Sequence, residues 1–312
     1  MSDLITNHQA IIAEYLESRE LADTSRETYR NIINIFFRFM VRTSRDARRP
    51  TPKDAIAFKL ELEKQNKSHF TISSYIVTLR AFFTWMVEAG YYNIIITKGL
   101  QRIRKQIKYA KLPLNRQQVS DLLASINTST MIGQRDYLII SFALTTGLRV
   151  NEMANVQLTD INGNQIYVLR KGYHTKTQKI KIPYSLLPMI EDYINARLAT
   201  GEDVNDMSYL FVSHTSCRSG NMHAKRLSEI IKARLIKAGM YDKRYTAHSL
   251  RHTCACFLLE EGVDLIVIQR FLNHSNIATT QVYTRFAEFD LLEKQKPHEI
   301  LSKIVKKEPP PE

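Results

Sequence analysis

Cysteine is scarce in this 312-residue sequence: Cys217, Cys254 and Cys256 are the only three. An odd number, with two of them separated by a single residue, excludes a disulfide framework and fits no usual zinc-ligand spacing. Reduced thiols in a reducing cytosol are the expectation, with Cys254 and Cys256 packed as small core side chains. No leader is expected either, because MSDLITNHQA holds neither a basic nor an apolar region. No apolar run approaches the roughly 18 residues of a membrane span; Tyr91–Thr97 is far shorter. The chain is therefore expected to be cytoplasmic, with no membrane partner. Repeats and low-complexity tracts are absent apart from the EPPPE end. There is no glycine-rich phosphate loop of the Walker kind, and no acidic trio stands out as a two-metal site. Neither a cofactor nor a metal ion is expected.

Acidic residues are also in deficit. The sequence has 31 Asp and Glu against 44 Lys and Arg, a formal net charge of +13. That balance favours a polyanionic partner, with nucleic acid as the first candidate. The excess is shared along the chain: positions 1–110 hold 18 basic and 11 acidic side chains, so both halves can face the same polyanion. Apolar residues make up 44%, enough for a sizeable core in one large domain or two ordinary ones.

The first hundred residues read as four helices. Ile11, Ile12, Tyr15 and Leu16 share a helical face. Thr24-Ser25-Arg26-Glu27 has the spacing of a capping box, followed by the stripe Tyr29, Ile32, Ile33, Phe36, Phe37 and Met40. Thr51-Pro52-Lys53-Asp54 opens a third helix with proline at its first position, where the missing N–H costs nothing. A fourth spans about Thr71 to Ala89, with Gly90 as its stop. Gly99–Lys111 is basic and weakly periodic, and reads as a linker. Beyond it, helical patterns over Asn115–Ile126 and Gly133–Thr145 precede two short strands, Gln165–Leu169 and Lys179–Pro183. Helical patterns resume near Leu186 and over Lys225–Ala238, His248–Glu260 and Asp264–Leu272.

Four segments carry the chemistry: Thr146-Gly147-Leu148-Arg149-Val150-Asn151-Glu152, Arg170-Lys171-Gly172, His248-Ser249-Leu250-Arg251-His252, and Leu272-Asn273-His274 with Tyr283 nine residues on. Together they resemble the tyrosine recombinase (phage integrase) family, and its Xer-type members most closely. The resemblance extends to ADTSRETYRNI and FTISSYIVTLRAFFTWMVEAG in the N-terminal part. It implies a mainly α fold with a small β-sheet in the C-terminal domain, closing as a clamp around DNA. A four-helix, SAM-like core-binding domain would occupy 1–105, a linker 106–113, and the catalytic domain with a C-terminal oligomerisation tail 114–312.

Attack on a DNA phosphodiester concentrates negative charge on the non-bridging oxygens, and planar, permanently charged guanidinium groups suit them. Arg149 and Arg251 are the candidates. His248 and Arg251 stand three apart and so share a helical face. Glu152 stands three residues after Arg149 and can orient it. The resemblance makes Tyr283 the nucleophile and His274 a phosphate contact, with Asn273 where the family has glycine. A phenol is mostly neutral near pH 7 and needs a proton acceptor. His248 is assigned that role, although the two histidines could exchange roles. Lys171 matches the family lysine that protonates the leaving 5′ oxygen, with Lys176, Lys179 and Lys181 nearby.

The implied activity is metal- and ATP-independent site-specific recombination through a 3′-phosphotyrosyl bond and a Holliday junction. It would serve integration or excision of a mobile element, or resolution of chromosome or plasmid dimers. The partners would be double-stranded DNA sites, further copies of the chain (a dimer per site, a tetramer in the synapse), and accessory DNA-binding proteins or a related recombinase. The separate arm-binding domain of larger integrases is expected to be absent. The tail's Phe286, Phe289, Leu292, Ile300, Leu301 and Ile304 would pack into a neighbouring protomer. The alternatives are a relaxing enzyme like the type IB topoisomerases and a DNA-binding regulator without catalysis.

Overall fold

The computed structural model describes residues 2–100, 111–169, 175–176, 178–215 and 218–273. Contacts divide the chain into two units, Met1–Lys108 and Tyr109–Glu312.

The first unit holds α1 (Ser2–Glu17), α2 (Asp23–Arg42), α3 (Pro52–Lys64) and α4 (His69–Glu88). Their apolar stripes meet in an aromatic core. Phe36 of α2 lies edge-on to Phe58 of α3 at 5.3 Å and to Phe83 of α4 at 5.8 Å; Tyr15 of α1 meets Phe82 at 5.2 Å. Each such pair adds about 0.5–1.5 kcal/mol beyond the area it buries.

The helix starts explain where the chain turns. Pro52 begins α3, and the Thr51 amide and hydroxyl donate to the Asp54 carboxylate at 2.8 and 2.7 Å. Ser68 caps α4 by accepting from the Thr71 amide at 3.1 Å, and Gly90 leaves the helix at φ 76°. One expectation is corrected. Helix α2 begins at Asp23 with Ala22 as its N-cap, so Thr24 is the second helical residue and no cap. The Asp23 carboxylate favours that earlier start by facing the positive end of the helix dipole.

Helix α4 is 20 residues long and contains an 18-residue window of mean hydropathy 1.3, enough by length and composition alone to cross a membrane. Polar residues interrupt the stretch, so it is no continuous apolar run. Here its Ile72, Ile76, Leu79, Phe82, Phe83 and Met86 are buried in the same cluster as side chains of α1, α2 and α3. Arg80 donates to the Leu100 main-chain oxygen at 2.7 Å. The packing is that of a core helix.

In the second unit, α5 (Arg116–Ala124), α6 (Met131–Thr146) and α7 (Val150–Ala154) precede three strands, β1 (Ile161–Asn162), β2 (Gln165–Val168) and β3 (Gln178–Lys181). Then come α8 (Leu186–Ala199), the hairpin β4 (Val212–Thr215) and β5 (Arg218–Asn221), α9 (Ala224–Lys237), α10 (Ala247–Glu260) and α11 (Leu265–Leu272). The first three strands form an antiparallel sheet in which Ile166 faces Ile180 and Gln165 faces Lys181.

Helix α6 is the centre of this unit. It packs against α8, α9 and α10, and even its Arg135 and Asp136 are buried. Burying them requires compensation, which Asp136 supplies by accepting from Arg135 at 2.7 Å and from Arg234 of α9 at 2.6 Å. The packing fixes where the C-terminal end of α6 emerges, and that end starts the candidate site.

Candidate active site

Helix α6 stops at Gly147, which adopts the left-handed conformation at φ 59°. A Cβ at this position would lie 2.5 Å from Leu272 Cδ2 of α11 and 3.4 Å from Cys254 Sγ of α10. Glycine therefore does two things here: it turns the chain out of α6, and it lets α11 and α10 approach the turn. Three of the four sequence segments meet at this point.

Two residues on, Arg149 is the N-cap of α7. Its amide donates to Glu152 Oε2 at 2.9 Å and its Nη1 to Glu152 Oε1 at 3.1 Å. The Glu152 side chain is 3% exposed and that of Arg149 30%. A buried carboxylate thus anchors the arginine by main chain and side chain together, while part of the guanidinium group faces solvent.

Arg251 occupies the next turn of the junction. It is buried on α10, donating from Nη1 to the Gly147 oxygen at 2.5 Å and from Nη2 to the Leu272 oxygen at 2.7 Å. Both acceptors lie at helix C-terminal ends, where partial negative charge favours a cation. Asn273 follows Leu272 in the left-handed conformation, φ 51° and ψ 56°, as its tolerance of that region allows.

His248 lies in the first turn of α10, exposed at the surface. Enough protein surrounds the ring to lower its pKa by desolvation, and the positive charges of Arg251, Arg149 and Lys111 lower it further. The imidazole is therefore held toward its neutral form, as a proton acceptor requires. His252 lies with its ring centroid 6.3 Å from that of His248. Its pKa is pushed down to about 4, first by burial and then by His248 and Arg251. Cys254 and Cys256 are buried free thiols whose pKa burial raises to about 12, consistent with packing rather than reactivity.

The structure thus brings Arg149, Glu152, His248 and Arg251 together. Lys171, His274 and Tyr283 lie outside the described residues, as do Cys217, the apolar positions of the tail and the 106–110 part of the linker. Of the other lysines near the β2–β3 connection, Lys176 is engaged: its Nζ donates to Asp160 and to Gln157 at 2.7 Å each. Lys179 stands 5.3 Å from the Tyr167 ring centroid. Among the described residues, no cluster of three or more His, Cys, Asp or Glu is placed to hold a metal ion. In the sequence Lys111 is only the end of a basic linker; its influence on His248 depends on contacts between distant parts of the chain.

The Phage integrase family matches residues 113–288, and the phage integrase N-terminal SAM-like domain matches residues 12–90. The chain belongs to the phage integrase family. It is 28% identical to tyrosine recombinase XerA of Pyrococcus furiosus, over 96% of this chain and 98% of that one. It is 30% identical to XerA of Thermococcus kodakarensis, over 80% and 83%, and 27% identical to tyrosine recombinase XerD of Listeria innocua, over 93% and 96%. Its fold is similar to that of the Tn1549 transposon integrase in complex with transposon right end DNA, with a TM-score of 0.71 at 19% identity, covering 93% of this chain and 98% of that one. A lambda integrase dimer bound to a COC′ core site gives a TM-score of 0.66 at 17% identity, covering 91% and 94%. Family membership places the chain among the tyrosine recombinases and integrases, with an N-terminal SAM-like domain and a mainly helical catalytic domain.

Proposed function

We propose that this protein is a site-specific DNA recombinase that cleaves and rejoins strands through a 3′-phosphotyrosyl bond at Tyr283. The observation that carries this reading is the junction at Gly147, where Arg149, His248 and Arg251 meet from two helices in a member of the family. Residues 1–105 are assigned to core binding, 106–113 to the linker and 114–312 to catalysis.

In the first step His248 accepts the phenolic proton of Tyr283. The phenolate attacks phosphorus, a new P–O bond to tyrosine forms, and the bond to the 5′ oxygen breaks. Lys171 protonates that oxygen as it leaves. Arg149, Arg251 and His274 stabilise the charge that grows on the non-bridging oxygens, a contribution on the order of 3–4 kcal/mol per well-placed donor. The phosphotyrosyl bond conserves the energy of the broken phosphodiester, so the freed 5′ hydroxyl of a partner strand reverses the step without ATP or metal. Exchange of one strand pair makes a Holliday junction and exchange of the second resolves it. Double-stranded DNA sites are the partner, with a dimer on each and a tetramer in the synapse. The task would be integration or excision of a mobile element, or resolution of chromosome or plasmid dimers.

A nicked suicide duplex tests the reading. The wild-type chain is expected to accumulate a covalent protein–DNA adduct, and Tyr283→Phe to bind the same duplex without forming it. Adduct formation by Tyr283→Phe would overturn the assignment.

A further inference from the structure

The segment 111–116 (Lys-Leu-Pro-Leu-Asn-Arg) runs alongside α10, the helix that carries His248 and Arg251. It is held at two defined points. The Leu114 amide donates to Thr253 Oγ1 at 2.7 Å, and that hydroxyl donates onward to the Ser249 oxygen at 2.8 Å. Leu114 is buried. Two residues later, Arg116 lies 4.9 Å from the Phe257 ring centroid and pairs with Glu261 at 2.6 Å and Glu260 at 3.5 Å. Moving forward along the segment therefore moves toward the C-terminal end of α10.

Moving backward leads to the catalytic end. From Leu114 to Lys111 an extended chain covers about 10 Å. From Thr253 back to His248 the helix rises about 7.5 Å. Pro113 keeps the preceding residue out of a helical turn, so the segment cannot shorten that path by coiling. Lys111 is thereby carried level with the first turn of α10, where it is half-buried.

We propose that Lys111 is a positioning residue of the catalytic centre: its ammonium group, held beside His248 by the stapled segment, completes the positive surround of the scissile phosphate and keeps the imidazole ready to accept the tyrosine proton. This rests on the recombinase reading above. The charged and titratable neighbours of the ring among the described residues are Arg251 and His252 on α10, Arg149 at the start of α7, and Lys111. Lys111 is the one of these supplied by the segment that leads into the catalytic unit, so the register of that segment on α10 bears directly on the proton acceptor.

The sign of the effect follows. A nearby cation disfavours imidazolium, and removing it raises the His248 pKa. The acid limb of a cleavage profile that needs neutral imidazole then moves to higher pH.

The test is the rate of adduct formation on a saturating suicide duplex, from about pH 5.5 to about pH 9, for wild type, Lys111→Gln and Lys111→Arg. Lys111→Gln is expected to cleave roughly tenfold more slowly on the acid side, with its acid limb displaced upward. Lys111→Arg is expected to restore rate and limb. A Lys111→Gln profile that superimposes on wild type overturns the proposal. So does a slower Lys111→Gln whose limb has not moved, or a Lys111→Arg that behaves like Lys111→Gln, because either makes the residue a packing element. If the wild type itself forms no adduct, the recombinase reading fails and this proposal with it.

Discussion

Arg251 reaches from α10 to the main-chain oxygen of Leu272, 2.7 Å away and two residues before His274. Its other donor holds the Gly147 oxygen, two residues before Arg149. One buried side chain therefore sets the separation between the segments that lead to two other members of the proposed site. Replacing it should damage structure and chemistry together. Arg251→Lys keeps the charge but cannot hold both carbonyls in the same geometry. Leaving one buried carbonyl unpaired costs about 1–3 kcal/mol. The expected outcome is a Tm lowered by several degrees and adduct formation reduced by about 10²-fold or more. Thermal unfolding and the suicide-duplex assay measure the two losses on the same preparation.

Gly147→Ala tests the junction from the other side. The added Cβ would meet Leu272 at 2.5 Å, and the φ of 59° disfavours any side chain. A cost of about 1–3 kcal/mol is expected from the backbone strain alone. The variant should unfold at lower temperature and cleave poorly. A Tm equal to wild type would show that α11 does not pack against the turn as described.

Glu152→Gln separates anchoring from folding. The amide preserves the shape and one acceptor of the carboxylate that holds the Arg149 amide and guanidinium group, but loses the charge. Charge-assisted bonds are about twice as strong as neutral ones. Cleavage should therefore fall by roughly 10–100-fold, with little change in DNA affinity. Equal losses in affinity and cleavage rate would instead place Glu152 in a general structural role.

Asp54 gives a pH-dependent prediction in the first unit. Burial alone would raise its pKa, yet the bonds from Thr51 and Arg45 outweigh burial and hold it below the ordinary 3.8. A depressed carboxylate pKa adds stability that is present above the unfolded-state value and lost as pH falls through the folded-state value. Asp54→Asn should therefore destabilise the protein by about 1 kcal/mol near neutral pH. The difference should shrink progressively below the ordinary carboxylate range. Denaturant titrations of both proteins at a neutral and an acidic pH would show it, and a constant difference would contradict it.

Much of this site could be read from local pattern, because its parts obey local rules. The helical spacing of His248 and Arg251, the turn at Gly147 and the tolerance of Asn273 for a left-handed backbone all follow from a few neighbouring residues. The contacts that join the parts do not. Nothing near Arg251 in the sequence names Gly147 and Leu272 as its acceptors, and nothing near Lys111 names Thr253 as the anchor of its segment. The β4–β5 hairpin is not legible locally, because VSHT and RSGN have no apolar alternation and the pairing shows no period. At the start of α2 the Thr-x-x-Glu spacing imitates a cap, while Asp23 makes an earlier start favourable. Helix α4 shows the reverse ambiguity: its composition suits a membrane as well as a core, and only its packing distinguishes them.

The most direct test of the whole account is to digest the suicide-duplex adduct with trypsin and nuclease and identify the modified peptide by mass spectrometry. Cleavage after Arg270 and Arg285 releases FLNHSNIATTQVYTR, which contains a single tyrosine. The account predicts that this peptide alone carries the nucleotide, on Tyr283. A nucleotide on any other residue, or an adduct that survives in Tyr283→Phe, would contradict it.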